Sequence, residues 1–149
     1  MRVLVTGGTG YIGSTAVEIL SNQGFEISIL DDCSMGHADT VPAGVRFIEG
    51  SLLNQAQVAD ALTGCDAVMH FAGKSLVGES VEKPDLYQSV NVDGTRILLD
   101  QMRKQSITKI VFSSSAATYG EPKTVPILET ADTQPTNPYG ATKLAIDHM

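Results

Sequence analysis

The chain has 149 residues, 42% of them hydrophobic, which is enough for one domain with a core of its own. Its net charge of −7 leaves no basic stripe for nucleic acid, and no apolar run is long enough to span a bilayer or to act as a secretory leader. With no secretory marks, Cys33 and Cys65 read as reduced thiols of a cytoplasmic protein, and no His/Cys/Asp grouping has the spacing of a metal site.

The first predicted strand, Val3–Val5, runs into Thr6-Gly-Gly-Thr-Gly-Tyr-Ile-Gly13, and helical spacing of apolar residues follows over Ile12–Asn22. Gly7, Gly10 and Gly13 let a turn adopt positive φ and let a pyrophosphate approach the main chain, while the helix behind offers free N–H groups and the positive end of its dipole. The second strand, Ile27–Leu30, ends at Asp31-Asp32. An acid there accepts from the adenosine ribose hydroxyls and repels a 2′-phosphate, and no basic residue lies between Asp31 and Met35, so the reading is NAD and not NADP.

Further strands are predicted at Val45–Ile48, Ala67–Phe71 and Lys109–Ser113, with helices at Gln55–Leu62 and Leu86–Arg103. The alternation predicts an α/β fold, a Rossmann-type doubly wound parallel sheet whose strand ends open on one crevice. A proline-bearing loop, Glu121 to Pro138, precedes a last helix from Tyr139 that lacks a C-cap and a following strand. The expectation is therefore an incomplete NAD-binding domain over residues 1–149, truncated before its last strands, with the substrate-binding domain outside this chain.

Tyr139 and Lys143 are one helical turn apart and share a face. Bringing a phenol from its usual value near 10 to about 7 takes roughly 4 kcal/mol, a preference that a neighbouring ammonium in a partly dry cleft can supply. The phenolate would then act as general base toward a substrate hydroxyl. Phe112-Ser113-Ser114-Ser115 ends the fifth strand, where a hydroxyl can bridge substrate and tyrosine. His70 reads as a core or crevice histidine, and His37 and His148 as surface residues. Glu79 and Ser80 either orient a loop over phosphates or cap the next helix.

These motifs, with His70-Phe-Ala-Gly73, Val77-Gly-Glu-Ser-Val81, Asn91-Val-Asp-Gly-Thr95 and Pro138-Tyr-Gly-Ala-Thr-Lys143, resemble the extended short-chain dehydrogenase/reductase family from the first residues to the last. The segments Val77–Val81 and Ser113–Gly120 resemble the nucleotide-sugar 4-epimerases within it. That resemblance implies NAD-dependent 4-epimerisation of a UDP-sugar, UDP-glucose to UDP-galactose, through a transient 4-keto sugar. It implies Ser115, Tyr139 and Lys143 as catalytic residues and Tyr11 and Ile12 over the pyrophosphate. It further implies Asp31, Asp32, Cys33, Ser34, Met35 and Gly36 around the ribose, and Ser51 and Leu52 beside the adenine. Phe71, Ala72, Gly73, Lys74, Ser75 and Asn91 would line the nicotinamide side, and Lys143 would also reach the nicotinamide ribose. Related dehydratases carry an acid after the catalytic hydroxyl residue, whereas Ala116-Ala117 follow Ser115 and cannot move a proton. The chain departs from the family at Ser51, usually Asp, at Lys74, one residue before the usual lysine, and at Asp32, commonly Asn. A homodimer is implied through helices matching Leu86–Arg103 and the one from Tyr139. Another extended-family enzyme for a different nucleotide sugar, and a non-catalytic NAD-binding fragment, stand as alternatives; the isolated fragment is expected to be inactive.

Overall fold

The structure is a computed structural model that describes all residues, Met1–Met149. The chain divides into two compact units, Met1–Ala72 with Arg96–Ser113, and Gly73–Thr95 with Ser114–Met149.

The first unit is built on a five-stranded sheet in the order β3-β2-β1-β4-β5, comprising β1 (Arg2–Thr6), β2 (Glu26–Asp31), β3 (Arg46–Glu49), β4 (Ala67–His70) and β5 (Ile110–Phe112). All neighbouring strands pair in parallel, as the alternation of strands and helices predicts. Val3, Leu4, Val5 and Thr6 of the central strand are all buried, because helices cover both faces of the sheet. Val3, Val5, Ile27 and Ile29 point to one face and pack with Val17 of α1 (Tyr11–Asn22). Leu4, Leu30 and Val68 point to the other and pack with Val58 and Ala61 of α2 (Gln55–Ala61) and with Leu98 and Met102 of α5 (Gly94–Lys104). The period of two along each strand sorts the side chains between these cores. Asn54 starts α2 by accepting from the N–H groups of Ala56 and Gln57. Cys65 is buried in the second core, and burial pushes its thiol up, so it is an inert packing residue.

The second unit holds α3 (Val77–Glu82), α4 (Pro84–Tyr87), a π-helical turn (Gln88–Asp93), a 3-10 turn (Ala116–Tyr119) and α6 (Pro138–Asp147). Between Tyr119 and Pro138 there is no regular element, matching the predicted loop. Tyr87 is fully buried, its hydroxyl 2.7 Å from the Leu76 carbonyl and 3.1 Å from Glu79 Oε2. Hydrogen bonds from Lys83 and Tyr87 hold the Glu79 carboxyl below its usual range.

Two expectations are corrected here. The helix predicted over Leu86–Arg103 is not continuous: α4 ends at Tyr87, the chain widens into the π-turn, and α5 begins at Gly94. Apolar spacing reads straight through this break, but the Thr95 hydroxyl back-bonds to the Asn91 carbonyl and the Asn91 side chain is committed to other backbone. The helix α3 was not foreseen, because Val77-Gly-Glu-Ser-Val-Glu82 carries glycine and β-branched residues with poor helix propensity.

Candidate functional site

In the first unit the site grows from the turn after β1. Gly7 has φ +72°, and a Cβ there would lie 2.6 Å from the Ala72 nitrogen, so both its conformation and its surroundings require glycine. A Cβ on Gly13 would overlap the Gly7 carbonyl, so only glycine lets α1 start against the turn. Gly10 is the N-cap of α1, no side chain caps this end, and no acid lies in its first turn. Tyr11 and Ile12 open the helix and are 86% and 58% exposed. This cradle, closed to a Cβ at Gly7 and Gly13 and open at a helix N-terminus, fits a dinucleotide pyrophosphate.

Asp31 ends β2 beside that turn. Its Oδ2 accepts from the Thr9 N–H at 3.0 Å and its Oδ1 from the Cys33 N–H at 2.9 Å. The carboxylate thus ties the glycine turn to the loop that follows β2 and keeps acceptor capacity on both oxygens for a ribose diol. Asp32 accepts from the Ser34 N–H at 2.9 Å, Cys33 adopts φ +53°, and Met35 is 69% exposed. Gly36 lies so close to Thr9 that a Cβ would meet its hydroxyl, and the His37 N–H donates to the Thr9 carbonyl at 3.1 Å. Thr9 is therefore a joint of the site that sequence reading missed; it stands between Gly7 and Gly10, at a position that the glycine spacing leaves open.

The Ser51 hydroxyl accepts from the Leu53 N–H at 3.2 Å, and the Leu52 side chain belongs to the core, 6% exposed. Phe71 and Ala72 follow β4, the Phe71 N–H donating to the Thr6 carbonyl at 3.0 Å. His70 is fully buried, with Nδ1 2.6 Å from the Thr6 hydroxyl and its ring 5.4 Å from that of Phe112, which fits the core reading.

In the second unit, Ser115, Tyr139 and Lys143 gather around the first turns of α6. Asn137 caps that helix through the Gly140 N–H at 2.8 Å, and Pro138 occupies its first turn. The 3-10 turn after Ser115 packs on α6 so closely that a Cβ on Gly140 would lie 2.6 Å from the Ala117 carbonyl oxygen. The Ser115 Oγ accepts from the Ala117 N–H at 3.1 Å, which leaves its own proton free to donate. Lys143 is only 6% exposed and its Nζ lies 5.9 Å from the Tyr139 ring centroid. Burial lowers its pKa from 10.5 to about 8, a fall that the carboxylate of Asp147, one turn further on, opposes.

Gly73, Lys74 and Ser75 open this unit. Asn91, 2% exposed, accepts from the Lys74 N–H at 2.7 Å and donates to the Lys74 carbonyl at 3.0 Å. Its remaining amide proton goes to the Thr142 hydroxyl at 3.0 Å. Both donor protons of Asn91 are thus spent on protein groups.

Comparison with known proteins gives the family. The profile of the NAD dependent epimerase/dehydratase family matches residues 3–149. The chain belongs to that family.

Among curated members, a UDP-glucose 4-epimerase of Corynebacterium glutamicum is 51% identical over 148 residues, covering 99% of this chain and 45% of that protein. A crystal structure of a UDP-glucose 4-epimerase superposes with a TM-score of 0.97 at 45% identity, covering 100% of this chain and 46% of the other. The Brucella ovis UDP-glucose 4-epimerase in complex with NAD gives a TM-score of 0.96 at 44% identity, covering 99% and 46%. The chain spans about half the length of the relatives it matches. In this epimerase/dehydratase family member, the first unit carries the glycine cradle and the Asp31 clamp, and the second unit carries Ser115, Tyr139 and Lys143.

Proposed function

We propose that this chain is the amino-terminal, NAD-binding part of a UDP-sugar 4-epimerase that interconverts UDP-glucose and UDP-galactose. The observation that carries the catalytic reading is the buried Lys143 ammonium beside Tyr139 on one face of α6, next to the turn that begins at Ser115. With the Lys143 amine beside its ring, Tyr139 is placed to act as the general base that takes the proton from the sugar 4-hydroxyl and later returns it. Ser115, with its proton free, orients that hydroxyl and relays the proton. NAD, held by the residues named below, would supply reversible hydride acceptance at C4 of the sugar.

Gly7, Gly10 and Gly13 would admit the pyrophosphate, Tyr11 and Ile12 would lie over it, and Asp31 would hold the adenosine ribose. Asp32 to Gly36, Ser51 and Leu52 would surround the adenosine, and Phe71, Ala72, Gly73, Lys74, Ser75 and Asn91 would line the nicotinamide side. Lys143 would also reach the nicotinamide ribose. Ala116 and Ala117 supply no acid that could expel water, which favours epimerisation over dehydration. No helix is long and apolar enough to cross a membrane. The working enzyme is proposed to be a homodimer serving galactose metabolism.

The test uses a chain of the relatives' length. Tyr139→Phe is expected to lower the kcat for UDP-galactose by about 10²- to 10⁴-fold while bound NAD and KM change little. Full activity in that variant would overturn the reading. Exclusive turnover of N-acetylated UDP-sugars would reassign the substrate, and build-up of a 4-keto product would reassign the reaction to a dehydratase.

A further inference from the structure

The Tyr139 peptide is held on both sides by buried hydroxyls. Ser80, fully buried in α3, donates its proton to the Val77 carbonyl at 2.6 Å, so its oxygen is turned to accept. It accepts from the Tyr139 N–H at 3.2 Å. That N–H belongs to the first turn of α6 and has no partner within the helix. Asn137 already serves the Gly140 N–H, so the second donor of the turn is met from a different helix. On the other side, Thr142, 4% exposed, donates to the Tyr139 carbonyl at 2.8 Å. The Thr142 oxygen in turn accepts from Asn91 at 3.0 Å. Asn91 is fixed by two hydrogen bonds to the Lys74 backbone, and a Cβ on Gly73 would lie 3.0 Å from its Oδ1. The chain of contacts runs from Lys74 through Asn91 and Thr142 to the peptide that carries the phenol.

We propose that Ser80 and Thr142 are positioning residues of the reaction, which together fix the backbone of Tyr139 so that its phenol keeps one place relative to Lys143. The proposal rests on the epimerase reading above and adds to it residues that do not touch the reacting atoms. Neither hydroxyl is exposed, so neither serves solvent or a partner. Val77-Gly-Glu-Ser-Val81 gains a role as a brace, and the alternative that Ser80 caps the next helix is replaced: it caps α6, far along the chain. Thr142 back-bonds to the Tyr139 carbonyl, as helix threonines do, but here its oxygen also accepts from a buried amide, which ties that local bond to Asn91. Removing its oxygen leaves an Asn91 N–H unpaired in the interior, and the group relaxes by moving. A shift of about 1 Å at a reacting group is enough to cost on the order of 100-fold in rate.

The experiment uses the holoenzyme of the relatives' length, with Ser80→Ala, Thr142→Val and Thr142→Ser. Ser80→Ala and Thr142→Val are expected to lower kcat for UDP-galactose about 10- to 100-fold with KM and NAD content within about twofold of the parent. Thr142→Ser, which keeps the oxygen, is expected to recover most of the loss. Unchanged kcat, a kcat that falls only in step with NAD loss or unfolding, or a serine variant no better than valine would overturn the proposal. Amide hydrogen exchange gives a readout independent of turnover: Ser80→Ala is expected to speed exchange of the Tyr139 N–H at least about tenfold while the Leu4 and Val5 amides stay protected. If the parent enzyme epimerises no nucleotide sugar, the functional reading fails by itself, and the exchange result alone decides whether the grip on Tyr139 exists.

Discussion

A buried lysine is costly, and Lys143 shows what the cost supports. Below pH 8 the folded and unfolded chains both hold its proton, and the folded state bears the full penalty of the buried ammonium. Between about 8 and 10.5 the folded chain sheds the proton while the unfolded chain keeps it, so stability rises with pH across that window. Lys143→Met is expected to raise the unfolding free energy at neutral pH by on the order of 2–3 kcal/mol and to flatten that rise, which denaturant titrations at several pH values will read. The same change should abolish epimerisation, a trade of stability for function. In the parent enzyme kcat should decline as pH passes about 8, where the ammonium is lost. Asp31 makes a second residue-scale case. Its carboxylate accepts two backbone N–H groups, so Asp31→Ala is expected to weaken NAD at least about tenfold and to narrow the preference over NADP, measured by fluorescence titration of cofactor into stripped enzyme.

At the scale of elements, the termini of α1 and α6 matter more than their lengths. The start of α1 works only because Gly7 and Gly13 remove Cβ atoms where the turn folds against the helix and the end of β4. Gly7→Ala meets the Ala72 backbone and a positive φ together, so loss of NAD binding is expected to accompany a drop in Tm, seen in parallel thermal scans with and without NAD. The start of α6 depends on Asn137, and Asn137→Ala is expected to cost about 1 kcal/mol in denaturant unfolding. Elements also mark where pattern reading reaches its end. The strands were legible within about a residue because their apolar runs have one interpretation in a sheet covered on both faces. The break between α4 and α5 was not, because the hydrophobic period continues across the π-turn while the backbone widens around the partners of Asn91. A helix as short as α3 has no periodicity to detect.

For the molecule as a whole, the acidic charge and the parallel sheet set the remaining expectation. β5 lies at a sheet edge and exposes Val111 at 60% and Ile110 at 37%. Expressed as these 149 residues alone, the protein is expected to show no epimerase activity and to self-associate through this edge, read by sedimentation velocity over a range of concentrations. A monodisperse and active species would contradict this. The glycine turn, the acid after the second strand and the Tyr139/Lys143 pair on one helix were readable from residue order alone, since a strand-to-helix turn and a one-turn spacing are local properties of short segments. Ser80, Thr142 and the Thr9 joint were not. Their roles come from hydroxyls and backbone groups brought together across gaps as wide as 59 residues, and no local pattern encodes such a meeting. Sequence alone therefore determined which chemical groups the chain possesses and the order of its five strands. Only the tertiary structure decided which buried polar atoms had to satisfy one another, because burial removes water as a partner and leaves each group dependent on distant parts of the chain.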